Sequence, residues 1–249
     1  MKKNLLFVFL IINFLVVQAQ DNTSGTVNYQ QVVKLDIKLA GDASQFANML
    51  PKERKSNKIL YFTPKATLYE NGKSSEDENV SMQSGDGNVM IRMQEPENKI
   101  FTDLEKKRQI EQREFMTRVF LIEGEIEQQW KLTGNQKMIL DFPCQEAVME
   151  KDSSKIIAWF TPVIPVSAGP ANYGGLPGLI LSVEKDNGNS ILTATSVNFS
   201  SLIKEKIEKP GKGKKVTRNE YDQIVAEKTK EMGAEGANGG TQMIIRVQH

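Results

Sequence analysis

The chain has 249 residues, 39% of them apolar and 25% charged, with a formal net charge of +1. That composition supports a packed core, excludes disorder throughout, and lacks the basic excess of a nucleic-acid binder. One cysteine, Cys144, and one histidine, the terminal His249, exclude an internal disulfide and the usual Cys/His zinc sites, and no histidine is well placed for acid–base catalysis.

Lys2 and Lys3, the apolar run Leu5–Val17 and the small-residue site Val17-Gln18-Ala19 read as a secretory signal peptide over residues 1–19. The run falls short of the about 20 residues that a membrane-spanning helix needs. Cleavage before Gln20 removes two positive charges, so the formal charge falls from +1 to −1. Residues 20–249 are then expected to form a single exported domain, soluble in the periplasm or outside the cell. No other apolar run approaches spanning length, so no transmembrane segment is expected after cleavage. Within it, residues 210–249 hold a linker, a helix and a last strand.

Val27, Tyr29, Gln31, Val33, Leu35, Ile37 and Leu39 alternate, which predicts one long strand. Phe46, Met49 and Leu50 fit a helical turn or a loop before Pro51, and Lys52–Lys58 reads as charged and solvated. Lys58–Thr63 and Ala66–Glu70 are short strands separated at Pro64, since a central strand does not tolerate proline. Asn71–Asn88, polar and carrying three glycines, reads as a long exposed loop. Asn88–Met93 and Lys99–Leu104 look like strands around a turn at Glu95–Asn98. Residues 105–123 are rich in charge but show no clean helical stripe, and their alternation favours strands over a helix. Trp130, Leu132 and Lys137–Phe142 continue the strand pattern, with a turn at Thr133-Gly134-Asn135.

Gln145–Met149 and Lys155–Thr161 predict a hairpin about Lys151–Ser154. Pro162, Pro165 and Pro170 then fall within nine residues, which excludes a regular helix or a central strand. Leu179–Glu184 and Ser190–Phe199 are strands joined by the turn Asp186-Asn187-Gly188-Asn189. Lys209–Lys215 reads as a basic flexible linker. Thr217 and Glu220 form a capping-box pair opening a helix over Arg218–Met232, with Tyr221, Ile224, Val225 and Lys228 on one face. Gly233–Gly240 is glycine-rich and loose, and Met243–Val247 is expected to close the sheet.

The segment Ala158-Trp159-Phe160-Thr161-Pro162, Ile164-Pro165, Gly169-Pro170 and Gly175-Leu176-Pro177-Gly178-Leu179-Ile180 spells AWFTP-x-IP-x3-GP-x4-GLPGLI. It resembles the GLPGLI family of exported bacterial proteins. Trp130-x-Leu-Thr-x3-Lys137-x-Ile139, Cys144-x2-Ala147 and Lys212-Gly213-Lys214 with Thr217-x2-Glu220-Tyr221 extend the resemblance from about Val27 to the C-terminal helix. The family is one of unknown function, so the likeness implies export but no chemistry. The strand bearing Trp159, the Leu176-Pro177 turn, the next strand, the Asn187-Gly188 hairpin and the return strand also resemble the end of the sheet in the periplasmic lipoprotein carriers. The alternation and the capping box predict a mainly β (α+β) fold with a C-terminal helix, and the likeness implies that its antiparallel sheet is curved into a half-open barrel that binds acyl chains in its concave face.

Prolines 162, 165, 170 and 177 stiffen the loop, and Gly169, Gly174, Gly175 and Gly178 allow positive φ or close backbone approach. Pro177-Gly178 suits the centre of a type II turn. Leu179, Leu181 and Val183 would then face the core and Ile180 the other side. One reading is that this loop turns a corner and covers the sheet. The other is that it forms a rim presenting Trp159, Phe160, Tyr173, Leu176, Pro177, Gly178 and Ile180 to a ligand or partner. The glycines lack the helix, Lys and Ser/Thr of a phosphate-binding loop. Cys144 is either a buried small hydrophobe or an exposed thiol. Glu123 and Glu125 share a strand face, as solvated residues often do, and the scattered methionines do not form a copper site. The resulting expectation is a non-enzymatic envelope protein without cofactor or metal, which binds a small apolar ligand, a peptide or an envelope protein. An assembly factor working through an edge strand or the rim is the alternative, and a carboxylate-based hydrolase is the third.

Overall fold

The structure is a computed structural model that describes residues 22–38, 51–73, 79–84, 87–92, 96–151, 154–235 and 244–246. The leader, the turn about Phe46–Leu50 and most of the glycine-rich stretch after residue 235 lie outside the described residues.

The described strands are β1 (Gly25–Lys34), β2 (Asp36–Lys38), β3 (Glu53–Phe62), β4 (Ala66–Asn71), β5 (Asn79–Ser84), β6 (Gly87–Arg92), β7 (Asn98–Asp103) and β8 (Arg108–Phe115). They continue as β9 (Arg118–Glu125), β10 (Lys131–Ile139), β11 (Phe142–Lys151), β12 (Ser154–Thr161), β13 (Leu179–Lys185), β14 (Ser190–Phe199), β15 (Lys214–Thr217) and β16 (Ile244–Arg246). Among the described residues one α-helix, α1, spans Arg218–Glu235, and a short 3-10 helix spans Ser201–Lys206. Twelve strands form one open sheet in the order β10-β11-β12-β13-β14-β1-β3-β4-β7-β8-β9-β15. Every pair is antiparallel except β15 on β9. The mainly β architecture with a C-terminal helix therefore holds, and the sheet is not closed.

Several local expectations change. Glu53–Asn57 is the first half of β3, not a solvated stretch: Ser56 and Lys58 alternate inward, and Lys58 Nζ donates to Asn71 Oδ1 at 2.7 Å. Inward polar residues hide the period of two that marks a strand. Asn79–Ser84, inside the expected loop, is a strand, and it takes the expected strand Gly87–Arg92 as its hairpin partner, so β6 does not pair with β7. Thr133–Asn135 is a bulge within β10, with Gly134 at φ +86°, and the chain reverses instead at Leu140-Asp141, where Leu140 takes φ +53°. The expected long first strand ends at Lys34; β2 pairs with β16 as a separate ladder, so β16 does not close the main sheet.

The main core includes Val27, Leu60, Phe62, Phe160, Leu179 and Leu181, all fully buried. A second, smaller core seats the helix. Tyr221 meets Phe120 and Phe115 edge-on, with ring centres 5.5 and 6.3 Å apart, and Val216 and Ile122 complete the cluster. Buried Glu111 locks this junction, pairing with Arg113 Nε at 2.5 Å and with Arg218 of the helix. The capping box forms as expected. Thr217 N–H donates to Glu220 Oε2 at 2.7 Å and Glu220 N–H to Thr217 Oγ1 at 3.3 Å, which holds the Glu220 carboxyl below its usual range.

Cys144 is buried, and its Sγ lies 3.5 Å from the Phe142 carbonyl oxygen, to which the thiol donates. Burial pushes the thiol up to about 11. The thiolate is the reactive form, so native protein at pH 8 is expected to react with a thiol reagent on the order of a hundredfold more slowly than unfolded protein. Equal rates in the two states would refute the burial.

Candidate functional site

The Pro/Gly segment leaves β12 at Thr161 and returns to the sheet at Leu179. Its first part alternates strictly: Ile164, Val166 and Ala168 are buried while Val163, Pro165 and Ser167 are exposed. Val166 N–H donates to the Ile164 carbonyl and Ala168 N–H to the Val166 carbonyl, each at 2.8 Å. These are consecutive γ-turns, and the fixed φ of Pro165 lies close to what the first of them requires.

The segment then replaces a missing strand. β13 pairs with β14 only from Ser182 onward, so its first residues lack a partner on that side. Leu179 N–H donates instead to the Ile164 carbonyl (3.1 Å) and Ile180 N–H to the Ala168 carbonyl (2.9 Å). Leu181 is an extra residue opposite β12, because Trp159 faces Ser182 while Phe160 faces Ile180. The Ile180 carbonyl accepts the Tyr29 hydroxyl at 2.6 Å, and burial raises that phenol well above its ordinary value. An unpaired buried carbonyl is thereby avoided.

A staple holds the far side of the loop. Gln128 Nε2 donates to the Asn172 carbonyl (2.7 Å), Gln128 Oε1 accepts the Gly174 N–H (2.9 Å), and Trp130 Nε1 donates to the Gly174 carbonyl (2.8 Å). The Trp130 and Tyr173 rings pack with centres 6.4 Å apart, and burial pushes the Tyr173 phenol up to about 12. Gln128 carries no local sequence signal; only Trp130, within the family-like string, hinted that this stretch matters.

The expected rim is redistributed. Phe160, Leu176 and Ile180 are 0–2% exposed and Gly178 is buried, so these four are not presented at the surface. Ile180 does not face outward, because the extra residue at Leu181 shifts the parity of β13 and sets Ile180 opposite Phe160, on the core side; a Cβ on Gly169 would lie 2.8 Å from Ile180 Cδ1. Pro177-Gly178 is not a type II turn. Gly178 N–H closes a γ-turn onto the Leu176 carbonyl at 2.8 Å, and Leu179 N–H is already spent on Ile164. Pro162, Pro165, Gly175 and Pro177 are exposed, whereas Pro170 and Gly174 are buried. Trp159 is half-buried on the other face of β12 with Lys137 Nζ 4.1 Å above its ring, and Tyr173 is half-buried against Trp130.

What remains outside is a ridge of Pro162, Val163, Pro165, Ser167 and Pro177, with Val163 47% exposed. No charged residue occurs from Thr161 to Val183, in a chain that is 25% charged. Protein interfaces are depleted of charge at their centre, and an uncharged rigid edge has that character.

Elsewhere, Asp103, Lys106, Arg108, Glu123, Glu125 and Lys209 surround a cleft of about 340 Å³ floored by Phe101 and Ile110. The Lys106 backbone N–H, donating at 2.9 Å, holds the Asp103 carboxyl below its ordinary range. Among the described residues, no group of three His, Cys, Asp or Glu side chains could hold a metal ion, and no helix is long and apolar enough to cross a membrane.

A family model described as a protein of unknown function (Porph_ging) matches residues 148–182, which span β12 and the whole Pro/Gly segment. No curated protein matches the chain. Among solved structures, PNGF-II is similar in two crystal forms. In space group P21 the TM-score is 0.54 at 17% identity, covering 81% of this chain and 33% of that one. In space group C2 it is 0.53 at 18% identity, covering 81% and 32%. An uncharacterized conserved protein from Thermus thermophilus aligns at a TM-score of 0.39 and 9% identity over 80% of this chain and 94% of that one. The chain thus spans about a third of the length of PNGF-II, and at this identity the likeness is one of fold.

Proposed function

We propose that the chain is an exported, non-catalytic binding module that docks an envelope protein through the uncharged ridge of its Pro/Gly segment. The observation that carries this reading is the alternation across Val163–Ala168, which locks one row of side chains in the core and holds the other in solvent. A surface fixed before binding loses little conformational entropy on association. Carriage of an acyl chain fits less well, because the inner face of the sheet is filled by its own side chains. Docking through the free edge at β10 also fits less well, since the bulge at Thr133–Asn135 and the exposed Lys131 and Lys137 discourage strand addition.

The test is a photo-crosslinking residue placed at Val163 in the native host, with Leu202, exposed on the 3-10 helix, as control. A discrete adduct of one protein at position 163 and not at 202 is expected. Identical adduct patterns at the two positions would overturn the proposal.

A further inference from the structure

The basic run Lys209–Lys215 is not the loose linker that its composition suggests. Residues 200–213 cross the sheet as a strap fixed at both ends. Ser200 N–H donates to the Ser24 carbonyl at 3.0 Å, and the Ser200 hydroxyl caps the 3-10 helix. At the other end Lys212 N–H donates to Gln112 Oε1 at 3.3 Å. Gly213 then passes, at φ +131°, where a Cβ would lie 2.8 Å from the Val119 carbonyl oxygen, and β15 joins β9. The strap therefore holds Lys209 over the face formed by β7, β8 and β9, at the cleft of about 340 Å³.

Two rows build that face. Phe101, Ile110 and Glu123 are register neighbours in one, and Asp103, Arg108 and Glu125 in the next. Asp103 is engaged by Lys106, whose Nζ lies 3.5 Å away, and Glu123 by Lys215 at 3.7 Å. Arg108, Lys209 and Glu125 have no ion pair among the described residues. The cleft thus presents two uncommitted cations, one uncommitted carboxylate and an apolar floor.

We propose that this cleft binds a short peptide by its two free ends. The terminal carboxylate sits between Arg108 and Lys209, the terminal ammonium against Glu125, and an apolar side chain on Phe101 and Ile110. A guanidinium suits a carboxylate because it donates two parallel hydrogen bonds. A multiply charged anion such as a nucleotide suits the cleft poorly, since three carboxylates line it. A volume of about 340 Å³ lies at the small end of the ligand-site range, which accommodates two or three residues.

The test is calorimetric titration of the full chain with the dipeptide Leu-Leu, its N-acetyl form and its C-terminal amide. Amidation is expected to weaken binding about tenfold, and acetylation somewhat less, the scale of losing one charge-assisted contact. Arg108→Gln and Lys209→Gln should each remove the dependence on the free carboxylate, and Glu125→Gln the dependence on the free amine. Lys131→Gln, on distant β10, should change nothing. All four positions are exposed, and unchanged thermal unfolding would confirm that the variants fold. No saturable heat at millimolar Leu-Leu, equal affinity for the three forms, or undiminished dependence on the carboxylate in both cation variants would each overturn the proposal. None of these results bears on the ridge.

Discussion

Gly178→Val is expected to lower stability by roughly 2–6 kcal/mol, combining a strained backbone with overpacking. Gly178 holds φ +154°, and a Cβ there would lie 2.2 Å from the Thr161 carbonyl oxygen and 3.0 Å from Pro162 Cα. Both are backbone atoms at the end of β12, so no side chain can swing aside. Relief would require parting β12 from β13, where Thr161 faces Leu179. Gly175→Val is the contrast. It also sits at positive φ, +80°, but a Cβ there meets nothing within 4 Å, so only the conformational cost of about 1–3 kcal/mol applies. Urea denaturation of both variants measures the difference. If Gly178→Val loses no more than Gly175→Val, close approach is not the reason for the glycine.

Phe160→Ala is expected to cost roughly 3–5 kcal/mol and Ile180→Ala roughly 2–5 kcal/mol, the range for large buried side chains truncated in a core. Phe160 is 1% exposed in the main core, and Ile180 is enclosed between β13 and the loop at Gly169. The Ile180 result discriminates best. As a surface contact residue it would lose little stability on truncation; as the floor under a packed loop it loses as much as a core leucine. An Ile180→Ala variant with a wild-type denaturation midpoint would show that the loop does not cover that face.

The parts of the fold legible in the sequence are those whose signal is local. β14 shows its alternation, Asp186-Asn187-Gly188 takes positive φ throughout as a tight turn should, and Thr217 and Glu220 cap the helix at the expected separation. Residues 105–123 resolve as strands because no face of a helix there would be continuously apolar. What escaped depends on distant partners. Ser56 and Lys58 face inward yet are polar, so β3 begins earlier than its apolar residues announce. β15 hides in a basic run because its register is set by β9, not by its own composition. Gln128 clamps Gly174 across 46 residues, and nothing near Gln128 indicates that partner. At the candidate site, prolines and glycines announced a rigid loop correctly. The aromatic and aliphatic residues between them gave no indication of which side they would take, since both rows alternate with equally uncharged neighbours.

The position of β1 between β14 and β3 has a consequence for how the sheet assembles. On one side, β1, β3, β4, β7, β8 and β9 follow one another as an up-and-down meander; on the other, β10 to β14 do the same. Each meander needs only contacts between sequence neighbours, which form early. A single seam joins them, where the Asn28 side chain meets Ser196 across 168 residues, and it cannot close until β14 has been delivered. Until then β1 is an open edge whose backbone groups and whose Val27 and Tyr29 side chains await a partner, the arrangement that invites pairing between chains. Closure of the seam is therefore expected to be the slow step of folding and the interval of greatest exposure to aggregation.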